Sequence, residues 1–215
     1  MFEGFCPETV DFLWGIRMHN NREWFLQHKK DYVNHLYEPM KALGQDLFRP
    51  FLDKPGNLLK VSRIYRDARL HHPLPYKESL WICIRQEVDW WAENPCVYFE
   101  INPEGVGYGF CLWRPRVSTL EDIRKDMAAR PREFLELIAQ TEKATGVPVT
   151  AELYKRPKEA PIPELEPYFA WRGNISCVVE EPVSEGIFGP ELGHRVGDFI
   201  EKCIPLYDYF NQFKV

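Results

Sequence analysis

The sequence contains no Cys-x-x-Cys pair, no Gly-x-Ser-x-Gly elbow and no His-Glu-x-x-His segment. Their absence removes the dithiol and zinc-knuckle classes, the nucleophile-elbow hydrolases and the helical zinc peptidases from consideration. No uncharged run approaches the ~20 residues that a membrane-spanning helix needs. The opening Met1-Phe2-Glu3-Gly4-Phe5 lacks the basic and apolar regions of a secretory leader, which points to a cytoplasmic chain. Repeats, low-complexity tracts and long linkers are missing too, so 1–215 reads as a single domain. Cationic excess is also lacking: 27 Lys and Arg stand against 32 Asp and Glu, a net charge of −5. That balance argues against a general nucleic-acid coat or a basic membrane binder.

What is present is a well-packed composition, 45% hydrophobic and 14% aromatic, which supports one substantial core. The six cysteines are scattered. Cys83 and Cys111 lie among apolar residues (Ile82-Cys83-Ile84 and Phe110-Cys111-Leu112), where cysteine acts as a small hydrophobe. Unpaired thiols suit a reducing compartment.

Periodicity predicts an α+β fold. Val10, Leu13 and Ile16 mark a helix over 7–18, with Pro7 at its start. Asn20 is placed to cap the next helix, with Glu23 completing a capping box. Pro39 kinks that helix or begins another. An extended segment over 58–65 follows. Three alternating runs then read as strands: 80–85, 97–102 and 106–113. Asn102-Pro103-Glu104-Gly105 turns the last two into a central hairpin. Ser118 and Glu121 spell a second capping box. Pro131 opens a helix that Gly146 stops. Strands are expected over 149–154 and 174–181, and a last helix from Pro190, interrupted by Pro205. The expected architecture is a mostly antiparallel sheet packed by N-terminal, middle and C-terminal helices. Gly105, Gly107 and Gly109 alternate on the hairpin with no helix following, so they make no dinucleotide fingerprint. They spare room for large neighbours such as Trp113 and Tyr98, or for close backbone approach.

The stretch with the most chemistry is 60–77. It gathers Lys60, Arg63, Arg66, Arg69 and Lys77 against one acid, Asp67, with Tyr65, Tyr76, His71 and His72 interspersed. Such a density of cations and donors grips phosphate or carboxylate. An anion site would draw on Arg66, Arg69 and Lys77 for charge, Asp67 to orient arginines and Tyr76 to donate a hydrogen bond, with Arg63 among the site residues. Arg156, in the second basic cluster Lys155-Arg156-Pro157-Lys158, would form a further wall if the fold brings it near. The competing reading is a structural ion-pair network that ties the loop to acidic helices. By chemistry alone His71, His72 or Asp67 would serve proton transfer in an enzymatic version, yet no catalytic motif accompanies them. No cofactor is implied. No histidine spacing makes a metal site: His28 and His35 lie two helical turns apart, about 10 Å along the axis. A second surface, Trp90 and Trp91 with the Pro-rich 157–167 loop, suits protein interaction or sheet packing. Nucleic-acid stacking on Tyr76 and Trp81 is the least favoured reading.

Several short motifs carry a resemblance across nearly the whole chain. They are Asn20-Asn21-Arg22-Glu23-Trp24-Phe25, Arg63-Ile64-Tyr65-Arg66-Asp67-Ala68-Arg69, Pro75-Tyr76-Lys77 and Gly109-Phe110-Cys111-Leu112-Trp113-Arg114-Pro115. Leu120-Glu121-Asp122-Ile123-Arg124, Tyr154-Lys155-Arg156-Pro157-Lys158 and Pro205-Leu206-Tyr207-Asp208-Tyr209-Phe210 complete the set. In this order they resemble the bacterial domain of unknown function 2461 family. The resemblance implies a cytoplasmic single-domain protein and no particular reaction. Leu70 stands where the family pattern has Phe, His71-His72-Pro73-Leu74 fills a shorter gap, and Glu159 replaces a usual Gly.

Overall fold

The computed structural model describes residues 1–67, 69 and 73–213. Among them are β1 (Asn57–Val61), β2 (Leu80–Gln86), β3 (Cys96–Asn102), β4 (Gly105–Leu112), β5 (Thr150–Leu153) and β6 (Trp171–Pro182). They form one antiparallel sheet in the order β1-β2-β3-β4-β6-β5. With the helices this gives an α+β fold whose centre is the β3–β4 hairpin.

The helices are α1 (Pro7–Met18), α2 (Arg22–Gln27), α3 (Lys29–Asp31), α4 (Glu38–Phe48), α5 (Val117–Ala129), α6 (Pro131–Thr145), α7 (Glu166–Phe169) and α8 (Glu191–Asn211). A π-helical stretch, Tyr32–Tyr37, joins α3 to α4. The major helices cover one sheet face. On that face alternate residues are almost fully buried: Leu80, Ile82 and Ile84; Val97, Phe99 and Ile101; Val106, Tyr108, Phe110 and Leu112; Ile175 and Cys177. Phe99 stacks on Phe5, Tyr108 meets Phe199 of α8 edge-on, and Phe110 stacks on Phe210 of α8. At the far side the Arg124 guanidinium of α5 is buried and donates to the carbonyls of Phe169 and Trp171.

The opposite face carries Lys60, Trp81, Cys83, Arg85, Cys96, Tyr98, Glu100, Gly107, Cys111, Ser176 and Glu180, as the strand registers require. A loop over 87–95 folds back across part of it. Trp91 lies between Trp81 and Trp113, with ring centroids 6.3 and 6.2 Å away. Arg116 pairs with Glu93 to pin this loop, and the Arg114 amide donates to the Ala92 carbonyl at 2.9 Å. The rest of this face is open.

Several local expectations change. α2 is capped by Asn21, whose side chain accepts from the Trp24 amide at 2.9 Å. Asn20 is used elsewhere. α5 starts at Val117 without a side-chain cap, and Glu121 pairs with Lys158 at 2.8 Å instead of closing a capping box. β1 ends at Val61 rather than continuing to 65. β6 begins at Trp171, earlier than the alternation suggests. α8 passes through Pro205 unbroken, because Cys203, Leu206, Tyr207 and Phe210 hold both sides of it in the core.

Gly109 explains why the hairpin is glycine-rich. Its φ is +142°, and a Cβ there would stand 2.2 Å from the Cys177 carbonyl oxygen of β6. Close backbone approach, not room for Trp113, is the requirement. At Gly107 the nearest atoms to an added Cβ lie 3.9 Å away. Gly109→Ala is therefore expected to lower the unfolding free energy by about 3–5 kcal/mol, while Gly107→Ala stays within about 0.5 kcal/mol of wild type. Urea denaturation of the two variants checks this; equal losses would contradict it.

Candidate functional site

Residues 63–67 and 73–77 form the two arms of an irregular hairpin. Tyr65 bridges Tyr76 in antiparallel fashion. The Arg66 amide donates to the Pro75 carbonyl at 2.8 Å, and the Lys77 amide to the Ile64 carbonyl at 2.7 Å. Ile64 is fully buried and anchors one arm; Tyr76, 4% exposed, anchors the other by stacking on Phe25 of α2 at 4.4 Å. Pro73 and Pro75 flank the return arm, which suits a stiff loop. His71, His72, Ala68 and Leu70 lie outside the described residues.

Asn20 fixes this hairpin to the N-terminal helices. Its Oδ1 accepts from the Tyr76 amide and its Nδ2 donates to the Tyr76 carbonyl, both at 3.0 Å. The side-chain amide thus acts as one more strand residue. A second anchor is Glu78, which accepts from Arg17 Nε of α1 at 2.7 Å and lies 3.5 Å from Arg66. Arg17 also forms a two-pronged pair with Glu104 in the hairpin turn. One chain of alternating charges, Arg66–Glu78–Arg17–Glu104, thereby links the loop, α1 and the β3–β4 turn.

The seven sequence-derived site residues separate accordingly. Arg66 is engaged structurally: besides Glu78, its Nε donates to the Tyr76 carbonyl at 2.6 Å. Asp67 orients Arg69 with two side-chain hydrogen bonds, at 3.0 and 2.6 Å, but Arg69 remains 87% exposed. The Tyr76 ring is buried in an aromatic stack and its phenol is pushed up by burial. Lys77 is half-buried, donates to the Arg63 carbonyl at 2.8 Å and sits 5.5 Å from the Trp81 ring centroid. Burial first, then the charges of Arg63, Lys60 and Arg66, hold its ammonium below the usual lysine range. Among the described residues neither Lys60 nor Arg63 is paired with a carboxylate. Arg63, Lys77 and the neighbouring Lys60 are thus brought together beside Trp81.

Arg156 is not brought to them. It follows β5, whereas Lys77 precedes β2 and Lys60 lies on β1, at the other edge of the sheet. Five strand spacings separate the edges, roughly 24 Å. The registers add distance along the strands, because Leu153 stands opposite Trp171 while the row containing Leu80 ends at Glu181.

The cationic corner opens onto the uncovered sheet face. Trp81, Glu100, Gly107 and Glu180 occupy one row across β2, β3, β4 and β6. Next to Trp81 is a groove of about 440 Å³ lined by Tyr98, Glu100, Gly107 and Glu180 among others. Burial pushes the Tyr98 phenol up, so it stays a hydrogen-bond donor at neutral pH. This face therefore runs from positive charge, through an aromatic ring, to an acid-walled groove. The corner itself offers cations, not metal ligands.

A family model described as conserved hypothetical protein (DUF2461) matches residues 8–209. The chain belongs to the DUF2461 family. No curated protein matches it. The matched region contains every residue of the cationic corner, the Asn20 and Glu78 anchors and the tryptophans of the open face, so these features sit within the DUF2461 portion of the chain.

Sequence reasoning missed Glu78 and misassigned Asn20. The Asn20–Asn21 pair offers two equivalent capping residues, and nothing local shows which one reaches 56 residues away. Asn20→Ala should cost about 1–3 kcal/mol, because the Tyr76 amide and carbonyl lose partners in a part-buried setting. Arg69→Ala should leave stability at the wild-type value. Chemical denaturation of both variants distinguishes them; an unaffected Asn20→Ala protein would refute the anchor.

Proposed function

We propose that this protein binds an anionic, phosphate- or carboxylate-bearing small molecule at the corner formed by Lys60, Arg63 and Lys77, with its planar part against Trp81. The observation that carries this reading is the gathering of Lys60, Arg63 and Lys77 beside Trp81, none of them paired with a carboxylate among the described residues. Bringing a half-buried ammonium close to Arg63, Lys60 and Arg66 is unfavourable in the free protein, and an anion relieves it. Lys77 and Trp91 already lie against the Trp81 ring, 5.5 and 6.3 Å from its centroid, so a flat ligand would meet its free edge. The groove with Glu100 and Glu180 favours a ligand whose far end carries amine or hydroxyl donors.

Arg66, Asp67, Arg69 and Tyr76 enter this proposal as the frame rather than as contacts, and Arg156 is left out of the site. The six thiols, all free, fit a reducing, cytoplasmic setting in a bacterial cell. Among the described residues no helix is long and apolar enough to cross a membrane.

A second reading rests on Trp90, 64% exposed beside the Trp91–Trp113 stack. As a protein-contact surface it would use Trp90, Trp91 and Trp113, with the 157–167 loop as a further element.

A thermal-shift screen of phosphorylated and carboxylated metabolites separates these. Ligands present at 100 times their dissociation constant should stabilise the protein by about 2.7 kcal/mol. The shift should vanish in Lys77→Ala and in a Lys60→Ala/Arg63→Ala double variant and persist in Arg69→Ala. If no anion raises the melting temperature, or if the corner variants respond as wild type does, the assignment fails.

A further inference from the structure

On the helical layer, three donor groups converge. Cys6 Sγ lies 3.5 Å from His35 Nδ1. A Glu8 carboxylate oxygen joins them, with all three donor atoms within 4.8 Å of one another. We propose that Cys6, Glu8 and His35 form a binding site for a divalent metal ion of the zinc class.

The geometry suits that chemistry. Zinc bonds of about 2.3 Å to sulfur and about 2.0–2.1 Å to imidazole nitrogen, at a tetrahedral angle, place the two donors about 3.5 Å apart. That is the Cys6–His35 separation. A thiol–imidazole hydrogen bond gives a similar distance, so Glu8 decides between the readings. In a nucleophilic cysteine site the carboxylate orients the histidine through its other nitrogen. Here the Glu8 carboxylate lies within 4.8 Å of both the Cys6 thiol and the His35 ring nitrogen. A cation between the three groups would meet a sulfur, a ring nitrogen and a carboxylate oxygen at once.

The scaffold holds the donors from two separate elements. Cys6 is the residue before α1, where a thiolate is favoured by the helix N-terminus. Its amide and thiol both lie near Thr9 Oγ1, at 3.3 and 3.7 Å. The fully buried Thr9 hydroxyl in turn donates to the His35 carbonyl at 2.5 Å. One side chain thus ties the first turn of α1 to the backbone of the ligand on the opposing element. His35 lies in the π-helical stretch, a backbone irregularity that recurs at functional sites. With Cys, Glu and His supplied, a tetrahedral ion keeps its fourth position for water or a ligand. That position adjoins a groove of about 350 Å³ whose walls include Asp11, His28 and Asp31. His28 donates from Nδ1 to the Trp24 carbonyl at 2.9 Å, leaving Nε2 as the lone-pair nitrogen in the neutral ring. Soft sulfur with borderline imidazole selects zinc over magnesium or calcium.

The test uses the full-length protein, stripped by chelator and titrated with Co²⁺ and then Zn²⁺. One equivalent of Co²⁺ should produce a thiolate charge-transfer band and visible bands of tetrahedral intensity, which Zn²⁺ abolishes. Cys6→Ser should lose the charge-transfer band, and His35→Gln should weaken binding by at least roughly 10-fold; Cys111→Ser should match wild type. Alkylation of the wild-type protein supplies a readout that no variant's folding can disturb: Zn²⁺ should slow labelling of Cys6 specifically. Absence of the charge-transfer band, or Cys6 labelling at the same rate with and without Zn²⁺, would overturn the proposal.

Discussion

The structure depends on a sheet whose helical face is almost wholly buried, while the opposite face is covered only in part, by the 87–95 loop. Alternation along β2, β3 and β4 sends Ile, Phe, Val and Leu to the helical side, and nearly every one of those residues is excluded from water. At about 1.5–3 kcal/mol for each large apolar side chain, that face dominates the favourable terms of folding. A slip of one residue would invert it. Outside the tryptophan stack and the part covered by the 87–95 loop, the other face is freed from most of that packing. Cations, acids and tryptophans can accumulate there without disturbing the core, and this is where the cationic corner and the acid-walled groove are found.

The same constraint explains why so much fixed charge in 60–77 is structural. A loop that leaves β1 and returns to β2 must satisfy its own backbone while crossing the N-terminal helices. Asn20 and Arg66 do so at the Tyr76 peptide, and Glu78 balances Arg66 against Arg17. What remains of the basic stretch is a smaller set, in which Lys77 bears the cost of its like-charged neighbours.

The strands of the central hairpin were legible because period-two alternation is carried by residues of high contrast, such as Phe99 between Tyr98 and Glu100. The basic stretch was legible as a density of charge, and its structural reading accounts for Arg66, Asp67 and Arg69. Which cations stay uncompensated was not legible, because the deciding acid, Glu78, and the deciding amide, Asn20, act through tertiary contacts. The separation of Arg156 from Lys77 depends on strand order, which local patterns do not encode. The Cys6–Glu8–His35 cluster is invisible for the same reason: His35 reads as the partner of His28 on one helix, yet Thr9 draws it to α1 across 26 residues. Capping motifs misled where two cap-forming residues adjoin, as at Asn20 and Asn21, and where a surface acid had a better partner, as at Glu121.

The central claim is that Lys60, Arg63 and Lys77 concentrate positive charge in need of an anion. Its most direct measure is the titration of the Lys77 side chain by NMR, with and without a saturating phosphorylated or carboxylated ligand. The account predicts a midpoint below the ordinary lysine value in the free protein, moving upward when the anion is bound. An ordinary midpoint in the free protein, or one that no anion moves, would contradict it.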